Sequence, residues 1–118
     1  VLAFGLFRLA GELLKNGIAF PRPCWNPDHP SSIPCPDSFS LPSGHALGAF
    51  MLAVFLSLLF QIRQIILISL ALAILVALSR YFTGVHTTLD ISVGSLLGMI
   101  FGFLLWRFYW KETNSKVN

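Results

Sequence analysis

Charged residues are scarce in this sequence. Asp, Glu, Lys and Arg together make up 11% of its 118 residues, whereas a typical soluble domain contains about 25%. Hydrophobic residues account for 55% of the chain, and the mean hydropathy is +0.74. This composition argues against a water-soluble globular domain and against intrinsic disorder, which requires low hydrophobicity. It indicates a membrane protein that crosses the bilayer several times, or a part of one.

Cysteine is also rare, and the net positive charge is small. The two cysteines, Cys24 and Cys35, are too few for a secreted disulfide scaffold. They leave two alternatives open, a disulfide that closes the loop between them or two free thiols. The formal net charge is +3, and the basic residues are scattered singly between apolar runs. We therefore expect no nucleic-acid partner, because nucleic-acid binding requires a basic patch.

Four apolar stretches predict the helices, namely residues 1–14, 46–62, 64–79 and 91–106. A membrane-spanning helix needs roughly 20 residues, so flanking residues must extend these stretches. We predict an all-α fold, a polytopic transmembrane bundle of about four helices. Because the chain opens inside an apolar run without Met, we expect one membrane-embedded domain over residues 1–118 that is truncated at its N terminus. Buried core helices of a soluble protein are the alternative, but no amphipathic helices remain to cover such a core.

Residues 15–45 differ in kind, because they contain all seven prolines and both cysteines. Such a segment cannot continue a helix, and we predict a long ordered loop. Helices that alternate in direction place a group of basic residues opposite this loop: Arg63, Arg107, Lys111 and Lys116. The positive-inside rule makes the side of these residues cytoplasmic. We therefore expect an extracytoplasmic loop and a location in a bacterial cytoplasmic membrane.

Three short polar segments adjoin the apolar stretches: Lys15 with Arg22-Pro23, then Pro42-Ser43-Gly44-His45, then Ser79-Arg80 with His86 and Asp90. The alternating topology brings all three to the loop side. Two arginines and a lysine on one face indicate an anion site, since guanidinium groups match phosphate oxygens. Any one of these cations alone is better explained as an interfacial residue that reaches lipid headgroups. Three of them beside two histidines favour a phosphate site.

Two histidines predict the chemistry of this site. His86 and Asp90 are four residues apart, which places them on one face if the connection is helical there, and a carboxylate behind an imidazole activates it as base or nucleophile. His45 then supplies a general acid. Ser43 and Gly44 stand where a loop turns into a helix, and unpaired backbone N–H groups there bind phosphate. A metal site formed by His45, His86 and Asp90 is the alternative, which the nearby cations disfavour.

The same segments resemble the three-part signature of the type 2 phosphatidic acid phosphatase superfamily, the membrane lipid phosphate phosphatases. The resemblance covers residues 15–90, and every defining position is filled in order. It implies that His86 is the nucleophile of a phosphohistidine intermediate and that Asp90 orients it. His45 would protonate the leaving group and later help to activate water. The resemblance also implies that five residues bind the phosphoryl oxygens: Lys15, Arg22, Arg80, Ser43 and Gly44.

The resemblance implies an integral-membrane phosphatase that needs no metal or other cofactor. Its substrate would be a phospholipid or polyprenyl phosphate, such as phosphatidic acid, phosphatidylglycerophosphate or a polyprenyl pyrophosphate. The alternatives are a lipid-linked phosphotransferase and a non-catalytic module that binds lipid phosphates. The sequence makes no prediction of oligomeric state. Outside the motifs, the spacing of Arg8 and Glu12 allows them to pair within the first helix, and the alternative is that helices preceding this fragment supply their partners. We expect His29 to be solvated.

Overall fold

The computed structural model describes residues 2–118, which form four α-helices and one short 3₁₀ helix. The α-helices are α1 (Leu2–Ile18), α2 (Gly44–Phe60), α3 (Arg63–Phe82) and α4 (Thr88–Val117). The 3₁₀ helix is Pro23–Trp25. Residues 2–118 contain no β-strand. The all-helical prediction is confirmed.

Glycines bring α4 unusually close to α2. Gly94, Gly98 and Gly102 recur every fourth residue and are buried along one side of α4. A Cβ atom on Gly94 would lie 2.6 Å from the carbonyl oxygen of Ser43, and one on Gly102 would lie 2.5 Å from that of Met51. Glycine is required at these positions, because any larger residue would keep the two backbones apart. Small residues have the same role between packed membrane helices. The contact places the start of α2 beside the start of α4.

Two of the helices are long and apolar enough to cross a membrane. They are α3, with a mean hydropathy of 2.3 over 20 residues, and α4, with 1.8 in a helix of 30 residues. The helices α1 and α2 have 17 residues each, near the lower limit of about 17 residues for a span. Most of α3 is uncovered, and Leu67, Leu72 and Leu75 are each more than half exposed. A lipid environment satisfies such a surface, whereas water does not.

The loop from residue 19 to residue 43 is fixed to the helix ends by several bonds. A disulfide joins Cys24 to Cys35, whose Cα atoms are 6.0 Å apart. Of the two alternatives left open by the sequence, the structure therefore contains the disulfide. The indole Nε1 of Trp25 donates to the carbonyl oxygen of Pro36 at 3.0 Å, inside the same closed loop. The loop is also bonded to the end of α3, where the backbone N–H of Ser32 donates to the carbonyl oxygen of Thr83 at 3.0 Å.

Candidate active site

The three polar segments meet around one cavity of about 210 Å³ at the loop end of the bundle. Each segment contributes two lining residues: Lys15, Arg22, Gly44, His45, Arg80 and His86. The first segment reaches the cavity from the end of α1 and the loop, the second from the start of α2, and the third from the end of α3 and the turn before α4. The close packing of α2 on α4 fixes these approaches. Asp90 and Ser43 lie fully buried outside the cavity lining.

His86 is held from both sides of its ring. Its Nδ1 lies 3.4 Å from Oδ2 of Asp90, and its Nε2 lies 3.2 Å from Nη1 of Arg22. Both the His86 and the Asp90 side chains are almost completely buried. Burial lowers the pKa of His86, and the positive charge of Arg22 adds to this, while the hydrogen bond to Asp90 opposes it. The net lowering favours the neutral imidazole, whose unprotonated nitrogen is the nucleophilic atom.

The contact between His86 and Asp90 arises differently from the helical spacing that the sequence suggested. Residue 86 lies before α4, which begins at Thr88, so the pair does not share a helical face. Thr87 is the N-cap of α4, and Asp90 completes a capping box by accepting the Thr87 backbone N–H at 2.8 Å. This bond turns the carboxylate back over the start of the helix. The Asp90 side chain thereby caps α4 and meets His86 with the same oxygen.

Ser40 is a third member of this group that the motifs did not reveal. Its hydroxyl donates to Oδ2 of Asp90 and lies 3.4 Å from Nδ1 of His86. The Ser40 side chain is fully buried, and the Ser40 backbone N–H donates to the carbonyl of Phe20 at 2.8 Å. The only sequence signal for it is a small polar residue two positions before Pro42. Nothing in that signal distinguishes it from an ordinary loop serine.

Arg22 is anchored by the second half of the loop. Its Nε donates to the carbonyl oxygen of Ser38 at 2.6 Å, and its Nη2 donates to the Ser38 hydroxyl at 3.0 Å. Its Nη1 also donates to the carbonyl oxygen of Val85 at 3.0 Å. These bonds hold the guanidinium group beside His86. Ser38, like Ser40, was not singled out from the sequence.

The other two predicted cations are less fully bonded. Lys15 is buried, and its Nζ lies 3.6 Å from Oε1 of Glu12. Arg80 has a buried Nε without a hydrogen-bond partner in the described part of the chain. A buried N–H group without a partner carries a desolvation cost that a bound anion would remove. The cavity therefore presents donors that suit an anionic ligand.

The Ser-Gly-His segment begins α2. Ser43 is the N-cap, and its hydroxyl accepts the backbone N–H of Ala46 at 3.4 Å. Its own backbone N–H donates to the carbonyl oxygen of Asp90 at 3.0 Å. Gly44 and His45 follow in the first turn, where both line the cavity, and the His45 side chain is exposed to it. The structure gives Ser43 a capping position, and its expected phosphate contact stays a prediction.

The metal site considered from the sequence is not formed by the described residues. Among residues 2–118, no group of three or more His, Cys, Asp and Glu side chains is placed to hold a metal ion. Oδ2 of Asp90 accepts bonds from Ser40 and Thr87 behind the His86 ring. The carboxylate is thus committed to the imidazole and the helix cap.

Two charged residues of α1 also line the cavity. Arg8 and Glu12 do not form the pair that their spacing of four residues allows. Glu12 instead pairs with Lys15, and Nη1 of Arg8 donates to the carbonyl oxygen of Gly44 at 2.9 Å. The reason is that α1 lies against the glycines at the start of α2, which the arginine can reach.

Comparison with known proteins agrees with this geometry, since residues 1–114 match the PAP2 superfamily. The chain belongs to the PAP2 superfamily. The resemblance inferred from the three motifs is therefore confirmed. The PAP2 chain is 32% identical over 114 residues to phosphatidylglycerophosphatase B of Bacillus subtilis, with 89% of the chain and 54% of the relative covered. It is 38% identical over 106 residues to undecaprenyl-diphosphatase of Sulfolobus acidocaldarius, with 88% and 50% covered.

A solved structure has the same fold. It is the crystal structure of a transmembrane PAP2-type phosphatidylglycerolphosphate phosphatase from Bacillus subtilis, which matches with a TM-score of 0.76 and 33% identity. The match covers 93% of the PAP2 chain and 57% of the neighbour. The chain thus spans about half the length of the curated relatives it matches. By their names, these relatives are a phosphatidylglycerophosphatase and an undecaprenyl-diphosphatase.

Proposed function

We propose that this protein is an integral-membrane phosphatase that hydrolyses a lipid phosphate or diphosphate through a phosphohistidine intermediate. The observation that carries the proposal is the setting of His86. One ring nitrogen lies against the Asp90 carboxylate, and the other lies beside Arg22 in a cation-lined cavity. The proposed nucleophile His86, the carboxylate of Asp90 that orients it and the phosphate-binding cation Arg22 are therefore in contact.

The first step is attack by Nε2 of His86 on phosphorus. The nitrogen lone pair forms the N–P bond while the bond from phosphorus to the lipid oxygen breaks, and that oxygen keeps the electron pair. His45 protonates the departing oxygen, because it is exposed to the same cavity. Asp90 accepts the proton on Nδ1 in a hydrogen bond and stabilises the positive charge that develops on the ring.

In the second step, water attacks the phosphohistidine. His45, now neutral, accepts a proton from the water, and the P–N bond breaks to release inorganic phosphate and neutral His86. Lys15, Arg22, Arg80 and the backbone at Gly44 hold the three phosphoryl oxygens in both steps, while Ser43 fixes the start of α2 behind them. Cations and amide groups that are already in place stabilise the transferring group. This scheme uses no metal ion.

The membrane arrangement follows from the same reading. We propose that all four helices span the bilayer and that the loop end faces outward, since Arg63, Arg107, Lys111 and Lys116 lie toward the other end. The disulfide between Cys24 and Cys35 supports an oxidising compartment for the loop. A bacterial cytoplasmic membrane with an extracytoplasmic active site fits both features.

Phosphate release in detergent tests the proposal. The purified protein and its His86→Ala variant are assayed on phosphatidic acid, phosphatidylglycerophosphate and a polyprenyl diphosphate, with EDTA present. His29→Ala is the matched control, because His29 is an exposed loop histidine outside the 210 Å³ cavity. We expect turnover that survives EDTA and the control substitution and disappears in His86→Ala.

Three results would redirect or contradict the proposal. If the unmodified protein binds lipid phosphates but releases no inorganic phosphate from them, it is a non-catalytic binding module. Release of phosphate only when an acceptor lipid or sugar is present, with the phosphate recovered on that acceptor, would indicate a phosphotransferase. Loss of activity with EDTA would contradict the metal-independent scheme.

A further inference from the structure

Arg8 is a cation of the cavity that the proposed chemistry does not use. It lies seven residues before Lys15 in α1, about two helical turns away. Its guanidinium group bonds to the backbone of Gly44 and has no carboxylate within 4.0 Å in the described part of the chain. An arginine within an apolar helix is costly and usually marks a functional site.

The surface of α2 is shaped to admit this arginine. A Cβ atom on Gly48 would lie 3.1 Å from Nη1 of Arg8, which is tighter than ordinary packing. A Cβ atom on Gly44 would lie 3.7 Å from both Nζ of Lys15 and Oε1 of Glu12, and 3.9 Å from Nη1 of Arg8. The two cationic groups therefore flank the same glycine surface as neighbours.

The charge of the cavity exceeds what one phosphate monoester requires. Arg8, Lys15, Arg22 and Arg80 face it, and Glu12 is the one carboxylate in its lining. A phosphate monoester carries about 1.5 to 2 negative charges at neutral pH. A diphosphate carries more, which matches four cations opposed by a single carboxylate.

The direction of α1 indicates which phosphate Arg8 would meet. The helix runs from Leu2 toward the loop end at Ile18, so Arg8 lies farther from the loop than Lys15. In the proposed membrane arrangement, Arg8 is the deeper cation, and a lipid tail approaches from that depth. We propose that Arg8 binds the lipid-side phosphate of a lipid diphosphate whose terminal phosphate reacts at His86. This inference rests on the proposed phosphatase function.

The role of Arg8 in the reaction is then to stabilise the leaving group. Nε2 of His86 bonds to the terminal phosphorus, and the bond from that phosphorus to the bridging oxygen breaks. The electron pair stays on the bridging oxygen, so the departing lipid monophosphate gains negative charge beside the guanidinium group. His45 gives its proton to that oxygen. Water then attacks the phosphohistidine, the P–N bond breaks, and inorganic phosphate leaves with one proton of the water while the other proton returns to His45.

A pair of substrates that differ by one phosphate tests the inference. Farnesyl diphosphate and farnesyl monophosphate are assayed with the purified protein, Arg8→Gln, Arg8→Lys and the control Arg63→Gln, which removes an exposed arginine at the start of α3. For Arg8→Gln we expect the ratio of kcat/KM for diphosphate to that for monophosphate to fall by about tenfold or more, as for loss of a charged bond. Arg8→Lys should retain most of the ratio, and Arg63→Gln all of it.

A second variant covers the case in which Arg8→Gln fails to fold. Gly48→Ala keeps the charge, but its Cβ atom would lie 3.1 Å from Nη1 of Arg8, so the guanidinium group must shift by a few tenths of an ångström. The same ratio should fall, by less than in Arg8→Gln. An unchanged ratio in the folded variants, or equal losses on both substrates, would overturn the role of Arg8 while leaving the phosphatase proposal intact. Absence of phosphate release from both lipids by the unmodified protein would overturn both.

Discussion

Asp90 meets His86 with the same carboxylate oxygen that caps helix α4. Oδ2 of Asp90 lies 3.4 Å from Nδ1 of His86 and 2.8 Å from the backbone nitrogen of Thr87. The helix start therefore fixes the position of the carboxylate before any substrate is present. Since Ser40 donates to the same oxygen, three donors converge on one atom while Oδ1 has no partner in the described part of the chain.

The first prediction concerns Asp90→Asn. An amide keeps the size of the side chain but cannot stabilise a charged imidazole, and it also allows the wrong tautomer. We expect kcat to fall by about a hundredfold or more with a small change in KM. Steady-state phosphate release measures both constants. Because the amide can still cap α4, the melting temperature separates this effect from unfolding, and an unchanged kcat in a folded variant would contradict the orienting role.

Ser40→Ala tests whether the buried hydroxyl positions the pair. Removing it leaves the Asp90 oxygen with one fewer donor and frees the carboxylate to shift from His86. We expect kcat to fall by about tenfold, KM to change little, and the acid limb of the pH profile to move. Ser57→Ala is the matched control, because the Ser57 hydroxyl donates to the Ala53 carbonyl at 2.6 Å within α2. A loss of stability with an unmoved pH profile would show that Ser40 is merely structural.

The pH dependence of activity follows from the pKa of His86. Burial and the charge of Arg22 lower that pKa below its usual value, so the ring is neutral and nucleophilic at neutral pH. We expect the acid limb of the kcat/KM profile, on which His86 becomes protonated, to lie below about pH 6.5, the ordinary value for histidine. The same shift makes the unfolded chain bind more protons than the folded one, so this group also reduces stability as the pH falls. An acid limb above the ordinary pKa would contradict the lowering.

The helix packing predicts a stability defect in Gly98→Ala. An added Cβ atom would collide with the carbonyl oxygen of Leu47, which is backbone and cannot rotate away. We expect a loss of about 1 to 3 kcal/mol in the free energy of unfolding. Thermal unfolding in detergent compares it with Gly5→Ala, where a Cβ atom would meet nothing within 4 Å. Equal stability of the two variants would contradict the close contact of α2 and α4.

The helices were predictable because apolar runs are long-range signals that need no partner. The runs at residues 46–62 and 64–79 fall within α2 and α3 to within a few residues. The end of α4 was not predictable from hydropathy, since the helix continues through charged residues to Val117. A helix can continue through charged residues beyond its apolar segment, so the end of an apolar run does not mark the end of the helix.

The residues that line the cavity were predicted better than the residues that hold them in place. His45, His86 and the three predicted cations line it because their motifs adjoin helix ends that the topology brings together. The contact between His86 and Asp90 was expected for the wrong reason, since it depends on a capping box. The positions of Ser38 and Ser40 depend on how the loop folds back on the helices, which residue types and spacing do not encode. The role of Arg8 depends on glycines in another helix.

Trapping of the phosphorylated enzyme tests the central claim most directly. The purified protein and its His86→Ala variant are mixed with a lipid substrate labelled with ³²P on the terminal phosphate and quenched within milliseconds in base, and the labelled peptide is identified. We predict a label that is stable in base and labile in acid, attached to His86 and missing from His86→Ala. Label on another residue, or full turnover by His86→Ala, would contradict the phosphohistidine mechanism.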